Sequence, residues 1–171
     1  MTRTDAADTA VTHPAFTTVI SPVGELLLVT DGRAITAIGF EPYEPPIAPR
    51  DDHHPVLRQA AEELAEYFAG EREEFDLPLA PVGTEFQHRV WDQLRQIPYG
   101  TTVSYGDIAR RMGLVPGASR AVGLANGRNP IPIVVPCHRV VGANGSLTGY
   151  AGGVDRKRTL LDLEQHALSG S

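Results

Sequence analysis

The residues of this 171-residue chain best suited to chemistry stand together in Pro136-Cys-His-Arg-Val140, where Cys137 is the only cysteine. A thiolate is the nucleophilic form of cysteine, and adjacent cations such as His138 and Arg139 favour it. The run before it, Ile131-Pro-Ile-Val-Val-Pro136, is apolar and, with Pro130, holds three prolines. Proline fixes φ and removes a backbone donor, so the segment is neither an ordinary helix nor a central strand. It reads as a stiff, buried lead-in that holds Cys137 in one place. The plainer alternative is a small buried hydrophobe, the usual fate of a free cysteine.

Two further segments carry chemistry by composition. Ala118–Gly127 reads as a helix with few large side chains: Ala121, Gly123, Ala125 and Gly127 keep its surface flat, and Arg120 and Arg128 stand at its ends. Interior glycine costs a helix about 1 kcal/mol against alanine. Such a helix is either packed tightly on a neighbour or pressed against a ligand backbone, and the two arginines make a DNA backbone a competitor for that place. Gly142–Gly153 contains five glycines. Asn144-Gly145 is a turn dipeptide that predicts a small hairpin pairing Val140–Val141 with Leu147–Thr148. The remaining Gly-Tyr-Ala-Gly-Gly reads as a loop whose backbone approaches a ligand closely. It has neither a Walker lysine nor the Rossmann glycine spacing, which argues against a nucleotide cradle.

Charge separates the halves. Residues 1–81 hold five arginines against fifteen acidic residues, a net of −10; residues 82–171 hold ten basic against six acidic residues, a net of +4. Local charge governs phosphate contact more than the whole-chain value of −6. A single cysteine excludes an internal disulfide and a multi-cysteine zinc cluster. A lone thiol suits a reducing cytoplasm, and no segment approaches membrane-spanning length.

The elements that must position these groups follow from periodicity. Residues 1–13 read as a disordered polar tail. Phe16–Ile20, Leu26–Thr30 and Ile35–Phe40 are β-branched runs separated by turn residues, the pattern of an antiparallel meander. Val56–Ala69 has a helical stripe of Leu57, Ala60, Ala61, Leu64, Tyr67 and Phe68, with Glu62, Glu63 and Glu66 on an exposed face. Leu77–Gly83 reads as a linker, and Thr84 as the cap of a helix ending near Gln96. Ser104–Met112 and Ala118–Gly127 form a helix-turn-helix candidate. Asp155 is the candidate cap of a last helix reaching His166. The prediction is an α/β N-terminal domain, an antiparallel sheet with a helix, over 14–81 including the linker. A mainly α domain containing the helix-turn-helix follows over 82–171.

Pro136-Cys-His-Arg-Val140 closely resembles the active-site signature of the O6-alkylguanine-DNA alkyltransferases. Arg120-Ala-Val-Gly123, Asn126-Gly-Arg-Asn-Pro130, Thr148-Gly-Tyr-Ala-Gly-Gly153 and the Lys157–Glu164 helix fall in that family's order and spacing. The likeness is strong over 82–168 and loose over 14–81. It implies irreversible transfer of an alkyl group from guanine O6, with O4-alkylthymine a second candidate lesion, to Cys137 without a cofactor. His138 would take the thiol proton through a water, and Glu164, 27 positions from Cys137, would orient His138. Asn129 would hold the active-site turn, and Tyr105 would donate its hydroxyl to the leaving base. A base inside a duplex is out of reach, so it must be flipped at a cost of a few kcal/mol. Arg120 would fill its place in the stack. Ala121, Gly123 and Arg128 would contact DNA with the flat helix in the minor groove. Val140, Tyr150, Ala151 and Gly152 would line the pocket. Many relatives carry serine where this chain has Ala151, and a residue smaller than Leu124. Some hold a structural zinc through N-terminal cysteines, which this chain lacks, so His53 and His54 read as exposed loop residues and neither metal nor cofactor is expected.

The expected partner is therefore duplex DNA with an alkylated guanine, met by a monomer, with association of copies along DNA left open. Three rival readings are a lesion sensor of the alkyltransferase-like kind, a cysteine hydrolase and a helix-turn-helix regulator. The first is disfavoured because such sensors lack the cysteine. No cysteine-protease signature supports the second. The third needs major-groove side chains that the flat helix does not offer.

Overall fold

The computed structural model describes residues 12–170. Strands β1 (Ala15–Ser21), β2 (Gly24–Thr30) and β3 (Ile35–Phe40) form an antiparallel meander in that order. Its second turn is built by Asp31, whose carboxylate accepts the backbone N–H groups of Arg33 and Ala34 at 2.8 and 2.9 Å. Leu26 and Leu28 of the central strand are fully buried, as are Leu57 and Ala60 of helix α1 (Pro55–Phe68), which packs across the sheet. The segment read as a linker adds to this sheet: Ile35 N–H donates to Pro78 O at 2.8 Å, and Ala80 N–H donates to Ile35 O at 2.9 Å.

The second half is mainly helical: α2 (Glu85–Leu94), α3 (Tyr105–Arg111), α4 (Ser119–Gly127) and α5 (Val154–Ser169). Thr84 and Ser104 close capping boxes with Gln87 and Asp107, which fixes where α2 and α3 begin. Trp91 is core, and its indole N–H donates to Ala125 O at 2.9 Å, tying α2 to α4. One apolar cluster runs through both halves, from Leu26 and Tyr67 to Trp91, Cys137 and Leu160. No helix among the described residues is long and apolar enough to cross a membrane.

The architecture is the predicted α/β sheet-and-helix unit followed by a mainly α unit. Several local expectations differ. Val140–Val141 (β5) pairs in parallel with Val103–Ser104 (β4), not with Leu147–Thr148, so no hairpin forms although Gly145 does turn the chain at φ +80°. Gly153, at φ +89°, precedes α5 without a side-chain cap; Asp155 lies inside its first turn. Glu63 is buried, because it accepts Asp76 N–H at 2.7 Å and Gln59 Nε2 at 2.8 Å. His54 is 1% exposed and caps α1 by accepting Val56 N–H on Nδ1. Of the tail expected over 1–13, residues 1–11 lie outside the described residues; His13 meets Asp51 at 3.2 Å and packs edge-on against His54.

Candidate active site

The approach to Cys137 is held by one amide. Asn129 Oδ1 accepts Ile131 N–H at 3.0 Å, and its Nδ2 donates to Val135 O at 2.8 Å, bracketing the proline-rich turn. Within it Ile133 takes φ +74°, a left-handed conformation that costs a β-branched residue on the order of 1–3 kcal/mol. The whole run Ile131–Val141 is buried, and Cys137 is 4% exposed at the start of a 3₁₀ turn, Cys137–Arg139. Burial pushes its thiol up to about 11, against the opposing pull of the Asn129 side chain and the Lys157 charge.

Behind the thiol lies a carboxylate that gathers five donors. Glu164 Oε2 is 2.6 Å from His138 Nε2 and accepts the Tyr67 hydroxyl at 2.6 Å and Arg139 Nη2 at 3.1 Å. Its Oε1 accepts Arg139 Nε at 2.8 Å and Gly100 N–H at 3.0 Å. Burial alone would raise the Glu164 carboxyl, but the bonds and charges of His138 and Arg139 outweigh it and hold it at about 2. His138 is moved the other way: burial lowers it, against the pull of Glu164, so its imidazole is neutral at neutral pH. An ionised carboxylate only accepts, so the His138 proton sits on Nε2. Nδ1, buried and without a hydrogen-bond partner, is then a free base. The site can take up a proton and pass its charge to a buried anion.

Sequence reasoning offered His138 and Arg139 as cations favouring a thiolate. The structure assigns otherwise. His138 is neutral, and Arg139 is turned to Glu164, to Ile97 O at 2.8 Å and to the Tyr99 ring. The cation acting on the thiol is Lys157, the chain's only lysine. Its buried ammonium donates to Val140 O at 2.5 Å and Thr148 O at 2.9 Å, joining β5 to the glycine-rich loop. Tyr105 OH donates to the same Thr148 O at 2.9 Å. In that loop Tyr150 and Gly152 are buried and Ala151 is exposed; Tyr150 OH has no hydrogen-bond partner.

On the outer side of α4, Arg120, Ala121, Leu124, Gly127 and Arg128 are exposed and share one helical face. A Cβ at Gly123 would lie 3.8 Å from the Tyr105 ring, an ordinary contact, and one at Gly127 would meet nothing within 4 Å. Packing inside the chain therefore requires neither glycine.

Residues 15–81 match the family model for the ribonuclease-like domain of 6-O-methylguanine DNA methyltransferase, and residues 85–166 match the model for its DNA-binding domain. The chain belongs to the 6-O-methylguanine DNA methyltransferase family. A methylated-DNA–protein-cysteine methyltransferase of Mycolicibacterium paratuberculosis is 53% identical over 152 residues, covering 88% of this chain and 92% of that relative. One from Methanosarcina acetivorans is 52% identical over 147 residues, covering 84% and 94%. The structure of Mycobacterium tuberculosis OGT in complex with DNA is similar with a TM-score of 0.83 at 49% identity, covering 90% of this chain and 94% of that one.

Within this family frame, Cys137, His138, Glu164 and Asn129 lie in one buried cluster, Tyr105 faces the loop of Tyr150, and Arg120, Ala121 and Arg128 lie apart on the α4 surface. Sequence reasoning missed Tyr67, Gly100 and the second role of Arg139, all of which converge on Glu164, and the anchoring role of Lys157. The one readable signal was Lys157 itself, a lone lysine in a domain otherwise charged by arginine.

Proposed function

We propose that this chain reverses O6-alkylguanine damage in duplex DNA by moving the alkyl group to Cys137, once per molecule. The observation that carries the reading is the unpartnered Nδ1 of His138, the residue that follows a lone buried cysteine in the chain, with Nε2 committed to Glu164. As the alkyl carbon comes within reach, Nδ1 takes the Sγ proton through a water. Sγ forms a bond to that carbon, the carbon–O6 bond breaks, and its electron pair goes to guanine. Glu164 stabilises the imidazolium that results. Tyr105 gives up its bond to Thr148 O and donates to the departing base. The product is a thioether on Cys137, and the sequence holds no second cysteine to regenerate the thiol.

A 4% exposed thiol cannot reach a base stacked in a duplex, which supports flipping of the nucleotide into a pocket of Val140, Tyr150, Ala151 and Gly152. Helices α3 and α4 act as the helix-turn-helix. The face of Arg120, Ala121, Gly123 and Arg128 enters the minor groove, and Arg120 takes the vacated place in the stack. The two glycines of α4 that internal packing does not require support that contact. We further assign residues 14–81 as scaffold and 82–171 as the DNA-binding and transfer domain, acting as a cytoplasmic monomer.

Intact-mass analysis after incubation with an O6-methylguanine oligonucleotide tests the reading. One methyl on Cys137, at one equivalent per protein, is expected. Repeated turnover, or methyl on another residue, overturns it. The sensor reading is disfavoured because the thiol and its proton acceptor are both present; it predicts that Cys137→Ala leaves protection of alkylated cells intact.

A further inference from the structure

We infer that Phe40 and Arg156 set the largest alkyl group that the Cys137 pocket accepts, by bracing its outer wall from the N-terminal half. The inference rests on the proposed role of Tyr150, Ala151 and Gly152 as that wall.

The wall has little structure of its own. It lies between two glycines in left-handed conformations, Gly149 at φ +67° and Gly153 at φ +89°, and its one internal backbone bond runs from Gly153 N–H to Tyr150 O at 3.0 Å. Lys157 and Tyr105 hold its upstream end at Thr148 O. Downstream of that point the support comes from another part of the chain. The Phe40 ring at the end of β3 meets the Tyr150 ring edge-on at 5.8 Å and 62°. The backbone of Gly152 lies between the two rings: a Cβ there would fall 2.8 and 2.9 Å from Cε2 and Cδ2 of Phe40 and 2.9 Å from Cε1 of Tyr150.

Arg156 locks this contact. Its guanidinium stacks over Phe40 at 5.2 Å. It donates from Nε to Val23 O at 2.9 Å and from Nη2 to Glu41 O at 3.0 Å, both in the sheet's turn-and-strand ends, and from Nη1 to Gly152 O at 3.3 Å. A planar fork that meets three carbonyls and an aromatic face is a geometry lysine cannot reproduce. Their contacts run to the loop, so both are positioning residues that act through it. Interiors are close-packed and yield where a supporting group is removed. Removing the Phe40 ring lets Tyr150 and Gly152 retreat from the thiol, and a bulkier substituent then fits.

The test is the ratio of single-turnover transfer rates from O6-benzylguanine and O6-methylguanine oligonucleotides, measured on the full chain. Phe40→Ala is expected to raise the benzyl-to-methyl ratio by about tenfold, the scale on which a pocket reads a small change in apolar size. Phe40→Leu and Arg156→Lys should raise it less. A merely structural role slows both substrates alike, so an unchanged ratio in the soluble variants overturns the inference. If Phe40→Ala does not fold, the Phe40→Leu and Arg156→Lys ratios decide. Failure of the parent protein to take methyl on Cys137 sinks the functional reading instead, which keeps the two failures apart.

Discussion

Glu164 is the group whose titration should dominate the acid stability of this fold. In the native state its carboxyl is held at about 2 by His138 and Arg139 against an ordinary value of 4.5. A depressed carboxyl stabilises the native state fully above its unfolded pKa, and that stabilisation is lost as pH falls through the native one. The window therefore lies between about pH 4.5 and 2. At 1.36 kcal/mol per unit, the contribution is roughly 3 kcal/mol, a large share of a typical net stability of about 5–15 kcal/mol. Glu164→Gln keeps the shape and loses the charge, leaving Arg139 buried beside a neutral amide. Breaking a buried pair in this way costs about 3–5 kcal/mol at neutral pH. Urea unfolding of both proteins, followed by Trp91 fluorescence from pH 7 to 2.5, separates this group from the other carboxylates, because their titration cancels in the difference. The parent should exceed the variant by about 3–5 kcal/mol at pH 7, and the gap should narrow towards zero as pH approaches 2.5. A gap that stays constant with pH would refute the assignment of that energy to the Glu164 charge.

Three other outcomes follow from the same geometry. Alkylation of Cys137 by free iodoacetamide should speed up about tenfold per pH unit from 7 to 10, because burial holds the thiol at about 11; a plateau near pH 8.5 would contradict this, and Lys157→Met should slow the reaction further at each pH. Tyr67→Phe deletes one donor to Glu164 Oε2 while keeping the ring, and thermal unfolding should report a loss of about 1.5–3 kcal/mol, the value of a bond to a charged group; a loss under about 0.5 kcal/mol would make that bond incidental. Gly127→Ala meets nothing within 4 Å, so it should raise stability by up to about 1 kcal/mol yet weaken binding to duplex DNA in a fluorescence titration. Stabilisation with unaltered DNA binding would remove the face of α4 from the DNA contact.

The elements legible in the sequence are those whose information is local. The meander follows from Asp31-Gly32 and its β-branched flanks, and α2 and α3 start where Thr84 and Ser104 can cap them. The illegible parts are pairings between distant segments. Val140–Val141 finds its partner at Val103–Ser104, some 37 positions upstream, and no local pattern announces it. Glu63 and His54 read as exposed because charge and polarity suggest water, while Asp76 N–H and Val56 N–H, which donate to them, become visible only after folding. The active site divides in the same way. Cys137, His138 and Arg139 are contiguous, and Asn129 stands close before them. Tyr67 lies 97 positions from the carboxylate it serves.

The two unusual properties of Cys137, a high pKa and deep burial, belong together in a reagent used once. With the thiol at about 11, only about one molecule in several thousand carries a thiolate near pH 7.4. Thiolate character and exposure govern oxidation and stray alkylation, so the resting protein is protected by the same burial that makes its nucleophile weak. Reactivity must then come from an arrangement that is idle until substrate arrives. In the proposed mechanism His138 supplies it, because burial keeps its imidazole neutral while Glu164 fixes the proton on Nε2, leaving Nδ1 free. A cationic His138 could not accept the proton, and a Glu164 held near its ordinary pKa would stabilise the imidazolium less. Arg139, Tyr67 and Gly100 matter at this point: by keeping Glu164 ionised in a buried site, they hold ready the charge that the transfer step calls on. In that mechanism the N-terminal half takes part through Tyr67, so the proposed scaffold reaches into the proton-transfer path as well as the core.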